Sequence, residues 1–428
     1  MKIFNIDEAL RKPTKYKVLN EINEAMDMLY ASRQELFEKD NPLRQIYNKV
    51  SLDRFQRSYN SGIGFKQAFE QTTDFSIYPG FTDAEGFKGT ISYRIFGGTQ
   101  IITWQALMES DKAAIAERIK NWQTAWQRQY VISGMFALTG MFGKKVFDKT
   151  SKSYYYINSI DSVDGDVYNT QKNPIFSKKH TIVKTDEMTD ADIEANYQSN
   201  KFWIEVDLSG EDPFAVQKLA NGLQQVKTYQ KKLKDDNNQL AGVTGAKKIV
   251  CTEDAQLNSV LNAILAADNF SDATGKTILN PMKAGFSLYT TAYLDGDGQH
   301  DMPQFAVDEA AGYAHGLLML DPAFNAANKG PMEVERTPFK VDVVEQKNPE
   351  GVLYIGKQCC DFTCLTWQGI AYIFVGTEAQ MTAQKSKLES EKKDASWLAK
   401  DTFTKITPKF FKPTVAIDGT VKTKEQQQ

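Results

Sequence analysis

Between residues 110 and about 138, large apolar side chains recur on one helical face. Ile115, Ile119, Trp122, Trp126 and Tyr130 are spaced four, three, four and four residues apart, which is the repeat of a helix with one buried stripe. Ser110 suits the N-cap and Asp111 suits the positive end of the helix dipole. Gly140 and Gly143 mark the end. At 1.5 Å per residue such a helix is roughly 40 Å long. Three large rings along one stripe are read as core packing rather than as a cofactor box.

The sequence before this helix has a different period. Over residues 74–107, Ile91, Tyr93 and Ile95 fall on one face of an extended chain and Ser92, Arg94 and Phe96 on the other. Pro79, Gly80, Gly86, Gly89, Gly97 and Gly98 interrupt the pattern. A two-stranded hairpin with a long glycine-bearing tip is expected. An isolated hairpin is marginal in water, so this one needs a neighbour to lie on. Residues 1–73 are polar and mixed; Leu19, Ile22, Met26 and Leu29 lie at helical spacing, but no long apolar run anchors the region. It is expected to be an arm of helices and extended pieces, the alternative being an ordinary helical subdomain.

Further on, helices and strands mix. Residues 144–210 are strand-rich and irregular, with three tyrosines in 152–160 and a clean alternation in 201–208. Asp212 and Pro213 open a second helix whose inner face carries Phe214, Leu219, Leu223 and Val226. A strand at 247–252 follows, then a helix with Leu257, Val260, Leu261, Ile264 and Leu265 inward, then a strand at 285–293. This order reads as a modest α/β sandwich. Strands are expected at 339–344, 351–355 and 370–375, with a fourth possible in 360–367 and a turn at 348–351. Residues 378–400 are charged and helical, and the remainder is a loose tail. The class is α+β.

The chemistry-bearing residues are sparse. There are 3 histidines in 428 residues. Of the 4 cysteines, Cys359, Cys360 and Cys364 cluster, but zinc needs four ligands and no second pair is present. On an alternating strand Cys360 and Cys364 share a face with Phe362, which suits packing, and the thiols fit a reducing compartment. Asp295, Asp297 and Asp301 miss the calcium-loop pattern, with His300 where glycine is required and Ala306 at the closing position. Gly242–Lys247 (GVTGAK) precedes a strand rather than a helix, so it is not a phosphate loop. Ser133, His300 and His315 form no nucleophile motif. No catalytic, cofactor-binding or metal residue is expected. A net charge of -3 makes the chain neither a basic nucleic-acid binder nor a polyanion. The first residues have no basic-then-apolar leader, and no apolar run approaches the ~18 residues of a membrane span. A soluble, cytoplasmic product is expected.

The order of these parts resembles the capsid fold of tailed bacteriophages, named for the shell of phage HK97. In that resemblance, 1–73 matches the N-terminal arm, 74–108 the hairpin called the E-loop, and 109–210 the peripheral domain with its spine helix. Residues 211–330 match the axial α/β domain, 331–377 the returning peripheral strands, and 378–428 a C-terminal helix and tail. The segment 280–305 (NPMKAGFSLYTTAYLDGDGQHDMPQF) is the closest local match, with a strand, an acidic turn and an aromatic segment. It is a likeness of element order, covering most of 74–377, and 144–200 and the tail fit it less well.

The resemblance implies a major capsid protein that self-assembles as hexamers and pentamers into an icosahedral head around double-stranded DNA, which it touches only weakly. It implies scaffolding and portal proteins as partners, no membrane, and a place in the virion after assembly in the host cytoplasm. Phe81, Phe87, Lys88, Ile91 and Tyr93 are the expected subunit-contact residues. Lys88 sits where some relatives carry a crosslinking lysine, and no crosslink is expected here. The alternatives are another phage structural protein, of a tail or a decoration, or an enzyme of unknown chemistry.

Overall fold

The computed structural model describes residues 37–60, 88–136, 145–156, 189–234, 240–295, 312–390 and 403–408, with short gaps inside those ranges. In chain order the elements are β1 (Asn48–Ser51), β2 (Gln56–Asn60), β3 (Lys88–Ser92), β4 (Arg94–Thr103), α1 (Lys112–Phe136), β5 (Lys145–Asp148), β6 (Ser153–Tyr156) and β7 (Lys201–Ile204). Then come α2 (Ala215–Lys231), β8 (Lys247–Cys251), α3 (Ala255–Ala266), β9 (Asn269–Ser271), β10 (Thr277–Leu279), β11 (Phe286–Thr290) and β12 (His315–Leu320). The last are β13 (Pro331–Lys347), β14 (Glu350–Cys364), β15 (Ile370–Val375), α4 (Glu378–Ser390) and β16 (Thr404–Ile406). The chain divides into two compact units, one of residues 1–45, 94–133 and 337–360, the other of 46–93, 134–336 and 361–428.

In the first unit a helix lies on a sheet. β4 runs antiparallel to β14, with Thr103 opposite Gly351 at one end and Arg94 opposite Cys360 at the other. Successive side chains therefore alternate between two faces. Ile102, Val352 and Tyr354 are buried on one of them. Gly98 stands directly opposite Gly356 on that same face. The indole of Trp122 fills the space the two missing side chains leave: a Cβ on either glycine would meet it. Trp126 stacks on Phe339 of β13 with ring centroids 3.8 Å apart, and on Tyr130 at 5.5 Å. Phe37 meets both Trp126 and Tyr130 edge-on at 6.1 Å. The aromatic stripe of α1 is thus the contact between helix and sheet.

The second unit is built on a six-stranded sheet in the order β11-β8-β12-β15-β7-β16. β12 pairs antiparallel with β8 and β15; the outer pairs are parallel. One face carries Phe202, Ile204, Ile249, Cys251, Leu317, Met319, Ile373 and Val375, packed against Leu219, Leu223 and Val226 of α2 and Leu257, Leu261 and Ile264 of α3. The other face carries Trp203, Val250, Leu318, Tyr372 and Phe374, also buried. Every residue of β12 and β15 is buried, as in strands covered on both sides. β1 pairs in parallel with the first residues of β13, Asn48 opposite Met332. Tyr47 packs on Phe362 at 5.1 Å and donates its hydroxyl to the Gly134 carbonyl at 2.7 Å.

Several elements depart from the sequence expectation. The segment 74–107, expected to form one hairpin, is divided: 88–92 pairs with 56–60, and β4 pairs with β14, where Gly98 stands opposite Gly356 under the Trp122 indole. Within the segment expected to be an arm, Leu43, Ile46 and Tyr47 are 0–3% exposed, so this short apolar piece is core. The expected strands at 351–355 and 360–367 are joined in the single β14. Residues 201–204 and 370–375, expected with the peripheral strands, hydrogen-bond within the six-stranded sheet. β12 was not expected at all. The helix expected at 18–30, the cap at Ser110 and Asp111, and the turn at 296–301 lie outside the described residues.

Two outcomes follow from this packing. Gly356→Val drives a side chain into the Trp122 ring and should destabilise the protein by about 1–3 kcal/mol. Trp126→Ala removes a half-buried aromatic and should cost about 2–3 kcal/mol. Denaturant melts of both variants check this; an unchanged midpoint in either would separate the helix from the sheet.

Tyr354 gives a pH signature. Burial pushes its phenol up to about 12, and its hydroxyl has no partner among the described residues. The folded state keeps that proton after an unfolded tyrosine would lose it near pH 10. Stability is therefore expected to fall as pH rises from about 10 to 12, and Tyr354→Phe should flatten that part of the profile.

Candidate assembly surfaces

β2 and β3 form a two-stranded antiparallel ribbon that belongs to no larger sheet among the described residues. Its register runs from Gln56 opposite Ser92 to Asn60 opposite Lys88. Ribbons of this length do not hold themselves together in water and gain stability by lying on something else. Of the five residues expected at a subunit contact, Lys88 and Ile91 fall in β3, opposite Asn60 and Arg57. Phe81, Phe87 and Tyr93 lie outside the described residues.

The first unit offers a second surface that the sequence expectation did not single out. The face of β4 and β14 turned away from Trp122 pairs Ile95 with Cys359, Thr99 with Ile355, and Ile101 with Leu353. Ile95 is 71% exposed and Ile101 46% exposed, while Leu353, Ile355 and Cys359 are half-buried. Asp342 of β13 pairs with Lys357 and, at 3.9 Å, with Lys340, which puts these three on the same face. The Lys357 ammonium, hydrogen-bonded to it, holds the Asp342 carboxyl below its ordinary value. Val344, two residues further along β13, is 45% exposed. The result is an apolar strip beside a small charged network. β4 is also the edge strand of its sheet among the described residues, and edge strands are where another strand can pair. The signal in the sequence was the alternation Ile95, Gly97, Thr99, Ile101, which marks one face without saying whether it is covered.

Lys247 and Asp321 form an ion pair at 2.9 Å, 0% and 1% exposed. Asp321 also accepts from the amides of Gly245 at 3.2 Å and Ala323 at 3.1 Å. The GVTGAK loop thus spends its Gly245 amide on a carboxylate of its own chain. Desolvation lowers the Lys247 pKa, with Asp321 opposing. Cys251 and Cys360 are buried thiols, the first donating to the Asn258 Oδ1 at 3.3 Å, and Cys359 is a half-buried one; the Cys364 side chain lies outside the described residues. Among the described residues, no group of three His, Cys, Asp or Glu could hold a metal ion. No described helix is long and apolar enough to cross a membrane.

The exposed strip can be tested apart from the fold. Ile95→Lys with Ile101→Lys replaces exposed side chains only, and surface changes typically move stability by no more than about 0.5 kcal/mol. The double variant should melt like the parent but lose self-association in sedimentation. A large drop in melting temperature would put the strip inside the core.

No protein-family model matches the sequence, and no curated protein matches it. Among solved structures, the chain is similar to the mature capsid of bacteriophage PhiM1, at 9% identity and a TM-score of 0.42 over 77% of this chain and 85% of that one. It is similar to a Mycobacterium phage Patience structure, at 10% identity and a TM-score of 0.42 over 83% and 86% of the two chains. The capsid of Myoviridae phage XM1 is a third, at 6% identity and a TM-score of 0.41 over 77% and 89%.

Proposed function

We propose that this chain is a structural protein of the HK97 type, a major capsid protein that self-assembles as hexamers and pentamers into an icosahedral phage head around double-stranded DNA. The observation that carries the reading is a pair of unfinished surfaces on one chain: the β2–β3 ribbon, which among the described residues joins no other strand, and the exposed apolar strip of Ile95, Ile101 and Val344. Each needs a partner, and a second copy of the chain supplies the complement of both. The element order supports the same reading. A ribbon precedes a long helix; an α/β unit with two helices follows; the chain then returns through the long strands β13 and β14.

In this reading the ribbon plays the part of the E-loop and α1 that of the spine helix. The six-stranded sheet with α2 and α3 is the axial domain, and β4, β13 and β14 are the peripheral strands. The ribbon of one subunit lies on a neighbour, with Phe81, Phe87, Lys88, Ile91 and Tyr93 as the contact residues. Heterologous contacts between identical subunits close into rings, and weak contacts repeated around a shell add to a stable whole. A net charge of -3 suits a wall that encloses DNA without gripping it. Scaffolding and portal proteins are its further partners, and the head is assembled in the host cytoplasm.

The test is to replace residues 56–92 by a flexible Gly-Ser link of about ten residues and compare it with the parent. Electron microscopy of the parent should reveal rings or closed shells. The replaced chain should keep the parent's melting temperature and remain monomeric by light scattering. A parent that stays monomeric across salt and concentration would overturn the reading, and normal shells from the replaced chain would remove the ribbon from it.

A further inference from the structure

Lys227 of α2 is 8% exposed. Buried charges are as a rule paired, yet among the described residues this ammonium has no carboxylate within ion-pair distance. Its recorded contact is with the ring of Phe286, 4.7 Å from Nζ to the centroid. The acid that acts on it through space, Asp321, is already engaged by Lys247, the Gly245 amide and the Ala323 amide. Lys231 stands one helical turn further along α2 and is exposed. Lys227 and Lys247 therefore share one carboxylate, and Lys231 adds a third positive charge nearby. The backbone approaches Lys227 at Gly285, where φ is +121° and a Cβ would lie 2.7 Å from Nζ. The positive φ is what restricts this position to glycine.

We propose that Lys227 and Lys231, beside Gly285, form a site for a small phosphate-class oxyanion. The local surplus of positive charge matches a dianion better than a single carboxylate. Lysine ammonium groups bind phosphate as point charges and need no planar fork. The ring of Phe286 stabilises the cation from one side. Burial, followed by repulsion from Lys231, lowers the Lys227 pKa; a bound anion would reverse that cost. The site stands apart from the surfaces assigned to assembly and does not depend on the capsid reading.

The experiment is isothermal titration of the full chain with inorganic phosphate at constant ionic strength. One saturable site per chain is expected. Lys227→Met, which keeps the aliphatic stem, should weaken binding by roughly tenfold or more, and Lys231→Met by a smaller factor. Lys232→Met, an exposed neighbour, should leave binding unchanged. Phosphate should raise the melting temperature of the parent and not of Lys227→Met, which separates a lost site from a lost fold. Competition with a short oligothymidylate identifies the source: displacement assigns the site to a nucleic-acid phosphodiester, and no displacement assigns it to a free phosphate. Absence of saturable binding, or equal affinity in the parent and Lys227→Met, would overturn the proposal.

Discussion

Helix and sheet in the first unit meet where two glycines face each other. Gly98 and Gly356 occupy one cross-strand pair of β4 and β14, and the Trp122 indole lies over them. With a side chain at Gly356 the helix would have to stand off from the strands, and the stacking of Trp126 on Phe339 would open with it. Interiors are packed closely enough that such a gap is not absorbed elsewhere. Seating the indole also determines which face of the sheet the helix covers. The other face, with Ile95 and Ile101, is thereby left for a different partner.

The second unit solves a different problem, that of a sheet buried on both sides. Most side chains on either face of β12 and β15 are apolar, and the acid at the end of β12, Asp321, is neutralised rather than exposed. Asp321 ties Lys247, the loop at Gly245 and the turn at Ala323 to one point. Such a buried pair contributes little net stability compared with apolar residues of the same shape, but breaking it leaves an uncompensated charge inside.

Periodic elements were legible in the sequence and distant partnerships were not. The stripe from Ile115 to Tyr130 identified α1 to within a few residues, and Leu257 to Leu265 identified α3. β12 escaped because HGLLML has neither alternation nor helical spacing; a strand buried on both faces carries no period to read. The pairing of β3 with β2 escaped because 27 residues separate them, residues 61–87, and nothing local distinguishes that partner from the adjacent β4. Of the candidate contact residues, the sequence pointed to the aromatic groups near the ribbon. It gave no sign that Ile101 and Val344 would be bare, because exposure depends on what the rest of the chain covers.

The register of β4 against β14 has a consequence for the order of events during synthesis. Thr103 waits for Gly351, and at about 5–20 residues per second the intervening stretch takes roughly 10–50 s to emerge. Until then β4 has no strand on which to lay out Ile95 and Ile101, and the apolar strip does not exist as a surface. The helix that covers the opposite face is made early but is without its full seat until Gly356 arrives. A nascent chain cannot therefore dock prematurely through this strip onto a neighbour on the same message. The surface becomes available only when residue 360 has left the ribosome.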